Sequence, residues 1–179
     1  MIEYIRYKIG GENMKQIETE RKYIIEKPDI KDLEAQDGFS ASYITQIYIA
    51  DPKRTHRIRK REYLSGEIEY TENTKERISK MSSVEREIEI TESEFNALSL
   101  NIEEGSRILK KKRITFDFSG KTFEIDIYPE WERCSILEVE LDREDEKIEI
   151  PDFIKIVKEV TGIREYSNHR MAHSFPREA

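Results

Sequence analysis

The sequence lacks most of what stabilises a small secreted protein or anchors a membrane protein. It has one cysteine, Cys134, among 179 residues, which excludes an intramolecular disulfide. No apolar run is long enough to span a membrane, and the first residues lack the apolar core of a signal peptide. Because no repeat, low-complexity tract or linker divides the chain, we expect one soluble, cytoplasmic domain that does not contact membranes.

An excess of positive charge is also missing. The 31 Lys and Arg residues are outnumbered by 38 Asp and Glu residues, which gives a formal net charge of −7. That balance argues against a nucleic-acid-binding protein, which needs a basic face, although the cations suffice for a local basic site. Charged residues reach 39%, yet nine Tyr and seven Phe are too many large apolar side chains for a disordered chain.

Most of the chain shows the period-two alternation of β-strands, rich in Ile, Tyr, Thr, Phe and Val. Turn signals such as Ser65-Gly66 and Ser119-Gly120 separate several of these segments. The predicted strands are Gln16–Ile25, Tyr43–Ala50, Thr55–Arg61, Glu67–Arg77, Val84–Ile90, Ile108–Phe118, Thr122–Tyr128 and Ile136–Asp142.

Helical signals are fewer. Thr91 and Glu94 form a capping box before one segment, and Pro151 and Gly162 flank another whose apolar residues share a helical face. The predicted helices are Ile30–Gln36, Glu92–Leu98, Asp152–Thr161 and a final one within Arg164–His173.

The polar faces of the predicted strands are segregated by the sign of their charge. Acid pairs are Glu87/Glu89, Glu124/Asp126 and Glu138/Glu140, whereas basic pairs are Arg57/Arg59, Lys75/Arg77 and Lys111/Arg113. For any single strand, a sheet with one solvated face is the simpler interpretation. Segregation across strands instead favours a ligand bound between them, because divalent cations need carboxylates and polyphosphates need Arg and Lys. Closure of the sheet would make the polar face the lumen of a barrel.

An ordered set of motifs resembles the CYTH, or triphosphate tunnel, superfamily. Glu18-Thr19-Glu20-Arg21-Lys22 resembles its opening E-x-E-x-K strand, in the form found in short bacterial inorganic triphosphatases. The later motifs follow in order: Tyr43–Ile49, Arg57-Ile58-Arg59, Lys75, Glu87-Ile88-Glu89-Ile90, Lys111-Lys112-Arg113, Glu124-Ile125-Asp126, Glu138-Val139-Glu140 and Tyr166-Ser167-Asn168. The resemblance implies an α+β fold: a closed antiparallel β-barrel of about eight strands with a charged lumen and helices packed outside. It also implies a tunnel domain over residues 15–175, preceded by an extension over residues 1–14.

The resemblance further implies a divalent-metal-dependent triphosphatase that uses Mg²⁺ or Mn²⁺ and binds a small-molecule triphosphate. The metal ligands would be Glu18, Glu20, Asp126, Glu138 and Glu140. The triphosphate would be bound by Lys22, Arg57, Arg59, Lys75, Lys111, Arg113 and Arg164. Tyr48 and Lys111 are the catalytic candidates, which would orient or deprotonate the attacking water.

The sequence is compatible with several functions. The leading one is hydrolysis of inorganic tripolyphosphate to pyrophosphate and phosphate; thiamine triphosphatase and class IV adenylate cyclase use the same core. A non-catalytic polyphosphate sensor and a homodimer also stay open. The histidines, His56, His169 and His173, have no zinc-ligand spacing and are expected on the surface.

Overall fold

The computed structural model describes residues 16–179. Its strands are Gln16–Glu26 (β1), Ser40–Ile49 (β2), Thr55–Tyr63 (β3), Ile68–Arg77 (β4), Ser82–Glu89 (β5), Leu109–Phe118 (β6), Lys121–Ile127 (β7), Cys134–Glu140 (β8) and Ile156–Glu159 (β9). Its α-helices are Ile30–Glu34 (α1), Glu92–Leu98 (α2) and Asn168–His173 (α3), with 3₁₀ turns at Ser99–Asn101 and Arg164–Tyr166. The predicted extension over residues 1–14 lies outside the described residues and stays a prediction, as does the domain boundary.

Eight strands form a closed antiparallel barrel. The hydrogen-bonded order is β5-β4-β3-β2-β6-β7-β8-β1, and β5 pairs with β1 to complete the circle. All eight predicted strands are confirmed, with ends that differ by a few residues. The predicted fold class is therefore confirmed.

The closing seam is short because two strands share one edge of β1. β5 pairs with residues 16–19 of β1, and β9 pairs with Tyr23–Ile25 farther along the same edge. β8 occupies the opposite edge, opposite Glu20–Glu26.

The helix predicted over Asp152–Thr161 is wrong. A turn follows Pro151, and Ile156–Glu159 forms β9 against β1. The edge of β1 beyond β5 carries main-chain groups that need partners, and the β-branched residues of this segment suit a strand. Long-range pairing thus outweighs the local helical pattern. Gly162 adopts a positive φ of 72°, but in a turn after a strand rather than at the end of a helix.

The other helical predictions are confirmed in part or in full. α2 has the predicted bounds, and the Thr91–Glu94 capping box forms in both directions. α1 ends two residues before the predicted limit, at Glu34. The last predicted helix is divided into the 3₁₀ turn at Arg164–Tyr166 and α3.

Two apolar clusters cover the outside of the barrel. One lies over β1, β6, β7 and β8 and receives Leu33 from α1, and the other lies over β2, β3 and β4 and receives Phe95 from α2. The helices therefore shield the outward faces of strands whose inward faces carry charge.

A third apolar cluster fills one end of the lumen. Ile24, Leu109 and Ile136 have the same strand parity as the inward charges Lys22, Lys111 and Glu138, and they are buried with Met171 of α3. The inward face thus changes from charged to apolar along each of these strands, and the cluster closes this end beneath α3. Within residues 16–179, no helix has the length and apolar character needed to traverse a membrane.

Candidate active site in the barrel lumen

A cavity of about 730 Å³ occupies the charged part of the lumen. Most of the predicted site residues line it: Glu18, Glu20, Lys22, Tyr48, Arg57, Arg59, Lys75, Arg113, Glu138, Glu140 and Arg164. Lys111 and Asp126 also point into the lumen, but they are buried beyond the cavity and do not line it.

One wall of the cavity is a row of arginines on β3. Arg57, Arg59 and Arg61 alternate along the strand and all line the cavity. The Nε atom of each is buried and, within residues 16–179, has no hydrogen-bond partner. Burial and the neighbouring Arg57 lower the pKa of Arg59 to about 10, so it remains charged at neutral pH. The terminal nitrogens do have acceptors in Glu85, Gln46 and Tyr63, but the three buried Nε donors indicate a place for an anion.

The facing wall is acidic and is assembled from β1, β7 and β8. Cross-strand pairing sets Glu20 beside Glu140 and Glu124 beside Glu138, and all four carboxylates line the cavity. Burial, Glu124 and Glu20 raise the pKa of Glu140. Like charges brought together in this way favour a cation between them.

Two cations lie within the acidic wall. Lys22 Nζ lies 2.7 Å from Glu138 and 3.4 Å from Glu20, and Arg113 donates to Glu138 across 2.9 Å. Burial alone would raise the pKa of Glu138, but Lys22 and Arg113 outweigh it and hold this pKa well below its usual range. Glu138 is therefore ionised at neutral pH and available as a metal ligand.

Lys111, Arg113 and Asp126 form a buried ionic network next to the acidic wall. Both oxygens of Asp126 accept from Arg113 at 2.7 Å, and Lys111 Nζ donates to one of them at 2.5 Å. Neither Lys111 nor Asp126 has an exposed side chain. Burial and Arg113, opposed by Asp126, lower the pKa of Lys111 to about 7. Asp126 thus orients Arg113, which also contacts Glu124 at the cavity surface.

Tyr48 lies between the cavity and the end of the lumen closed by the apolar cluster. Its hydroxyl accepts a 2.7 Å hydrogen bond from the Gln46 amide, and its ring lies 4.9 Å from that of His169. Burial raises the pKa of Tyr48 to about 12. The hydroxyl therefore stays neutral, which suits orientation of a water molecule rather than its deprotonation.

Glu18 and Glu85 form a proton-sharing pair near the seam between β1 and β5. Burial and Glu85 raise the pKa of Glu18 to about 8. Burial opposes ionisation of Glu85, but Arg57 and Lys75 outweigh it and lower the pKa of Glu85 to about 2. At neutral pH one proton is thus held mainly on Glu18, and Glu85 is the charged partner of both cations.

Among the charged and amide side chains of β3, β4, β5 and β7 that line the cavity, Arg61, Asn73 and Glu85 were not selected from the sequence, and Glu124 was recognised only as half of an acid pair. Each has the strand parity of a residue already selected, so parity could have found all of them. Glu85 is 4% exposed and accepts from Asn73 at 3.0 Å, whereas Glu89, at the end of the same strand, is exposed to solvent. The inward acid pair of β5 is therefore Glu85 and Glu87 rather than Glu87 and Glu89.

The donor set fits a metal–polyphosphate complex. Four carboxylates supply only oxygen ligands, which suit hard cations such as Mg²⁺ and Mn²⁺. The arginine row faces them and supplies the donors that phosphate oxygens need.

Comparison with known proteins supports the fold. A crystal structure of the inorganic triphosphatase NE1496 superposes with a TM-score of 0.55 at 27% identity, covering 89% of this chain and 97% of that one. A protein from Pyrococcus horikoshii OT3, PH1819, superposes with a TM-score of 0.56 at 22% identity over 72% of this chain and 80% of its own, which bears on fold alone. No protein-family profile matches the chain, and neither does any curated protein sequence. The resemblance to the CYTH superfamily is confirmed: the chain has the eight-stranded tunnel fold shared with these neighbours.

Proposed function

We propose that this protein is a divalent-metal-dependent triphosphatase whose substrate is inorganic tripolyphosphate, cleaved to pyrophosphate and phosphate. The observation that carries the proposal is the row of three arginines with unpartnered buried Nε atoms, facing four carboxylates across one cavity. The likeness to a protein described as an inorganic triphosphatase, at 27% identity over nearly its whole length, supports the same activity.

The arginines and lysines bind and align the substrate in this proposal. Phosphoryl transfer is accelerated mainly by positioning and by neutralising charge, so the cations need no covalent role. Arg57, Arg59 and Arg61 form one continuous line of donors along β3, and Arg113 lines the same cavity from β6. Arg164, which is exposed, lines it from the C-terminal segment.

The acidic wall holds the metal. Glu20, Glu124, Glu138 and Glu140 are the proposed ligands, because they line the cavity as cross-strand neighbours. A bound Mg²⁺ or Mn²⁺ supplies charge neutralisation for phosphate oxygens and acidifies water. Glu18, a predicted ligand, also lines the cavity and stays a proposed ligand. Asp126 acts through Arg113 rather than on the metal.

Tyr48 and Lys111 are proposed to act on the attacking water. Tyr48 orients it through a neutral hydroxyl. Lys111, with a pKa of about 7, is the base candidate; because it is buried beyond the cavity lining, it would accept the proton through an intervening water rather than by direct contact.

Product analysis tests the proposal directly. The protein is incubated with tripolyphosphate, ATP or thiamine triphosphate, each with Mg²⁺ or Mn²⁺, and the products are separated. We expect equimolar pyrophosphate and orthophosphate from tripolyphosphate and little turnover of the organic triphosphates. Cyclic AMP with pyrophosphate from ATP would replace the proposal with a cyclase, and preferential cleavage of thiamine triphosphate would replace the substrate. Tight binding of tripolyphosphate without turnover would identify a sensor.

A further inference from the structure

A second group of metal-ligand atoms lies outside the acidic wall, where α3 meets the loop before β6. His169 and His173 are one helical turn apart on α3, and Glu103 comes from the loop. One carboxylate oxygen of Glu103 lies 2.7 Å from His169 Nε2 and 3.5 Å from His173 Nε2. One ligand atom from each of the three residues falls within 4.8 Å of the others.

This arrangement differs from an ordinary histidine–carboxylate hydrogen bond. His56 and Glu72 form such a bond at 2.8 Å, with one imidazole for one carboxylate. At Glu103, two imidazole nitrogens converge on a single oxygen from 66 and 70 positions away in the sequence. Two histidines and a glutamate are the protein ligands of several zinc sites that keep a fourth position for water.

Two of the three separations between ligand atoms are close to those that such a site requires, and the third, between the two imidazole nitrogens, is within 4.8 Å. Tetrahedral coordination with bonds of about 2.0–2.1 Å places ligand atoms about 3.3 Å apart. The 3.5 Å separation already meets this requirement, and the 2.7 Å hydrogen bond has to lengthen by only about half an ångström. The three side chains are 23–34% exposed, so an ion has an entry path.

The backbone on both sides of the cluster is fixed. Glu103 donates its N–H to the Tyr48 carbonyl at 2.8 Å, and Arg107 donates to the Ala172 carbonyl at 2.9 Å. The loop is therefore tied to β2 on one side and to α3 on the other, which reduces the cost of organising the ligands.

We infer that Glu103, His169 and His173 form a site for Zn²⁺ or a similar transition-metal ion, separate from the oxygen-only site of the acidic wall. The ion fixes α3 across the end of the lumen. Because the His169 ring packs against Tyr48, it also fixes the orientation of that side chain. The inference does not depend on the proposed hydrolysis.

Calorimetric titration of the full chain with Zn²⁺ tests this inference. The buffer contains excess Mg²⁺, which occupies the oxygen ligands of the acidic wall. We expect one Zn²⁺ per chain, and with Co²⁺ in its place the strong visible absorption of a four-coordinate ion. His173→Gln should weaken Zn²⁺ binding by about a hundredfold or more, and it should abolish the Co²⁺ bands. His56→Gln is the matched control, since it removes the other histidine–glutamate pair, and should bind Zn²⁺ as the parent does.

Glu103→Gln serves as a second variant, and the melting temperature in metal-free buffer identifies any variant that fails to fold. Folded variants that bind Zn²⁺ as tightly as the parent would overturn the inference, as would a parent protein that binds no Zn²⁺ at micromolar concentration. Six-coordinate Co²⁺ spectra would also overturn it, because they would place the ion among carboxylates.

Discussion

At the scale of single residues, Glu138 lies between two cations in the cavity. It is 8% exposed, contacts Lys22 and Arg113, and lies beside Glu124 on the next strand. A carboxylate in this position is held ionised, and its loss affects both the cations and the proposed metal.

Glu138→Gln is therefore expected to lower kcat/KM for tripolyphosphate by about a hundredfold or more, the usual effect of removing one preorganised charge interaction from a site. Steady-state kinetics at several Mg²⁺ concentrations measures this. Glu89→Gln, an exposed acid on β5, should retain parental kinetics. Parental turnover in Glu138→Gln would remove this residue from the mechanism.

Lys111 allows a prediction on pH dependence. A base with a pKa near 7 is active in its neutral form, so the rate should rise as pH increases through about 7. In Lys111→Met the rate should be at least about tenfold lower and this rise should be absent. A pH–rate profile of kcat/KM compares the two proteins, and a rise retained in the variant would contradict the role as base.

At the scale of elements, the seam between β1 and β5 carries the Glu18–Glu85 pair. The folded state holds a proton on Glu18 up to a pKa of about 8, whereas the ordinary value is 4.5. The folded state therefore binds more protons than the unfolded state between these values, and the contribution of Glu18 to stability falls as pH rises through that window.

Glu18→Gln removes this titration and should raise the melting temperature at pH 9 by roughly 2–4 °C. The gain is small because about a third of the Glu18 side chain is exposed, so water screens its interactions. At pH 5, where Glu18 is already protonated, the variant and parent should melt together. Thermal unfolding at both values checks this, with Glu89→Gln as control, and a gain independent of pH would contradict it.

For the capping box of α2 we predict an effect on stability without an effect on catalysis. Thr91→Ala removes the hydroxyl that accepts a hydrogen bond from the Glu94 N–H, and it should lower the free energy of unfolding by about 1 kcal/mol. Because α2 packs on the outer face of the barrel, kcat should be unchanged. Urea denaturation and kinetics on the same preparation measure both, and a loss of kcat larger than twofold would mean that α2 is coupled to the lumen.

At the scale of the whole molecule, the barrel is held by strand pairing and by three apolar clusters, none of which needs an ion. Chelation with EDTA should therefore abolish hydrolysis and leave the far-ultraviolet circular dichroism unchanged. Added Mg²⁺ should raise the melting temperature in a concentration-dependent way, since binding to the folded state alone stabilises it. Unfolding on chelation would contradict this expectation.

The strands and the charged lumen were predictable because strand parity is a local property of the sequence. Phe123 and Ile125 alternate with Glu124 and Asp126, and the structure places the first pair outside and the second inside the barrel. How deep each inward side chain lies along the barrel was not predictable, because this depends on the stagger between neighbouring strands. The resemblance implied Asp126 as a metal ligand, whereas in the structure Glu124 lines the cavity and Asp126 is fully buried beyond it.

The other differences between the predictions and the structure involve contacts between residues far apart in the sequence. β9 forms because β1 offers an unpaired edge more than a hundred positions earlier, and the histidines of α3 meet an acid from the loop before β6. Neither segment contains its partner, so local patterns predicted a helix and a pair of surface residues.

The short strand β9 also bears on self-association. It covers the main-chain groups of Tyr23–Ile25, a hydrophobic stretch of β1 that β5 leaves uncovered. An exposed edge of this kind is a template for pairing with another copy of the chain, and aggregation begins at such edges. A proline at Lys158, opposite Ile24, would weaken that cover without touching the lumen. A segment whose local pattern predicts a helix thus covers a strand edge that would otherwise be available to a second copy of the chain.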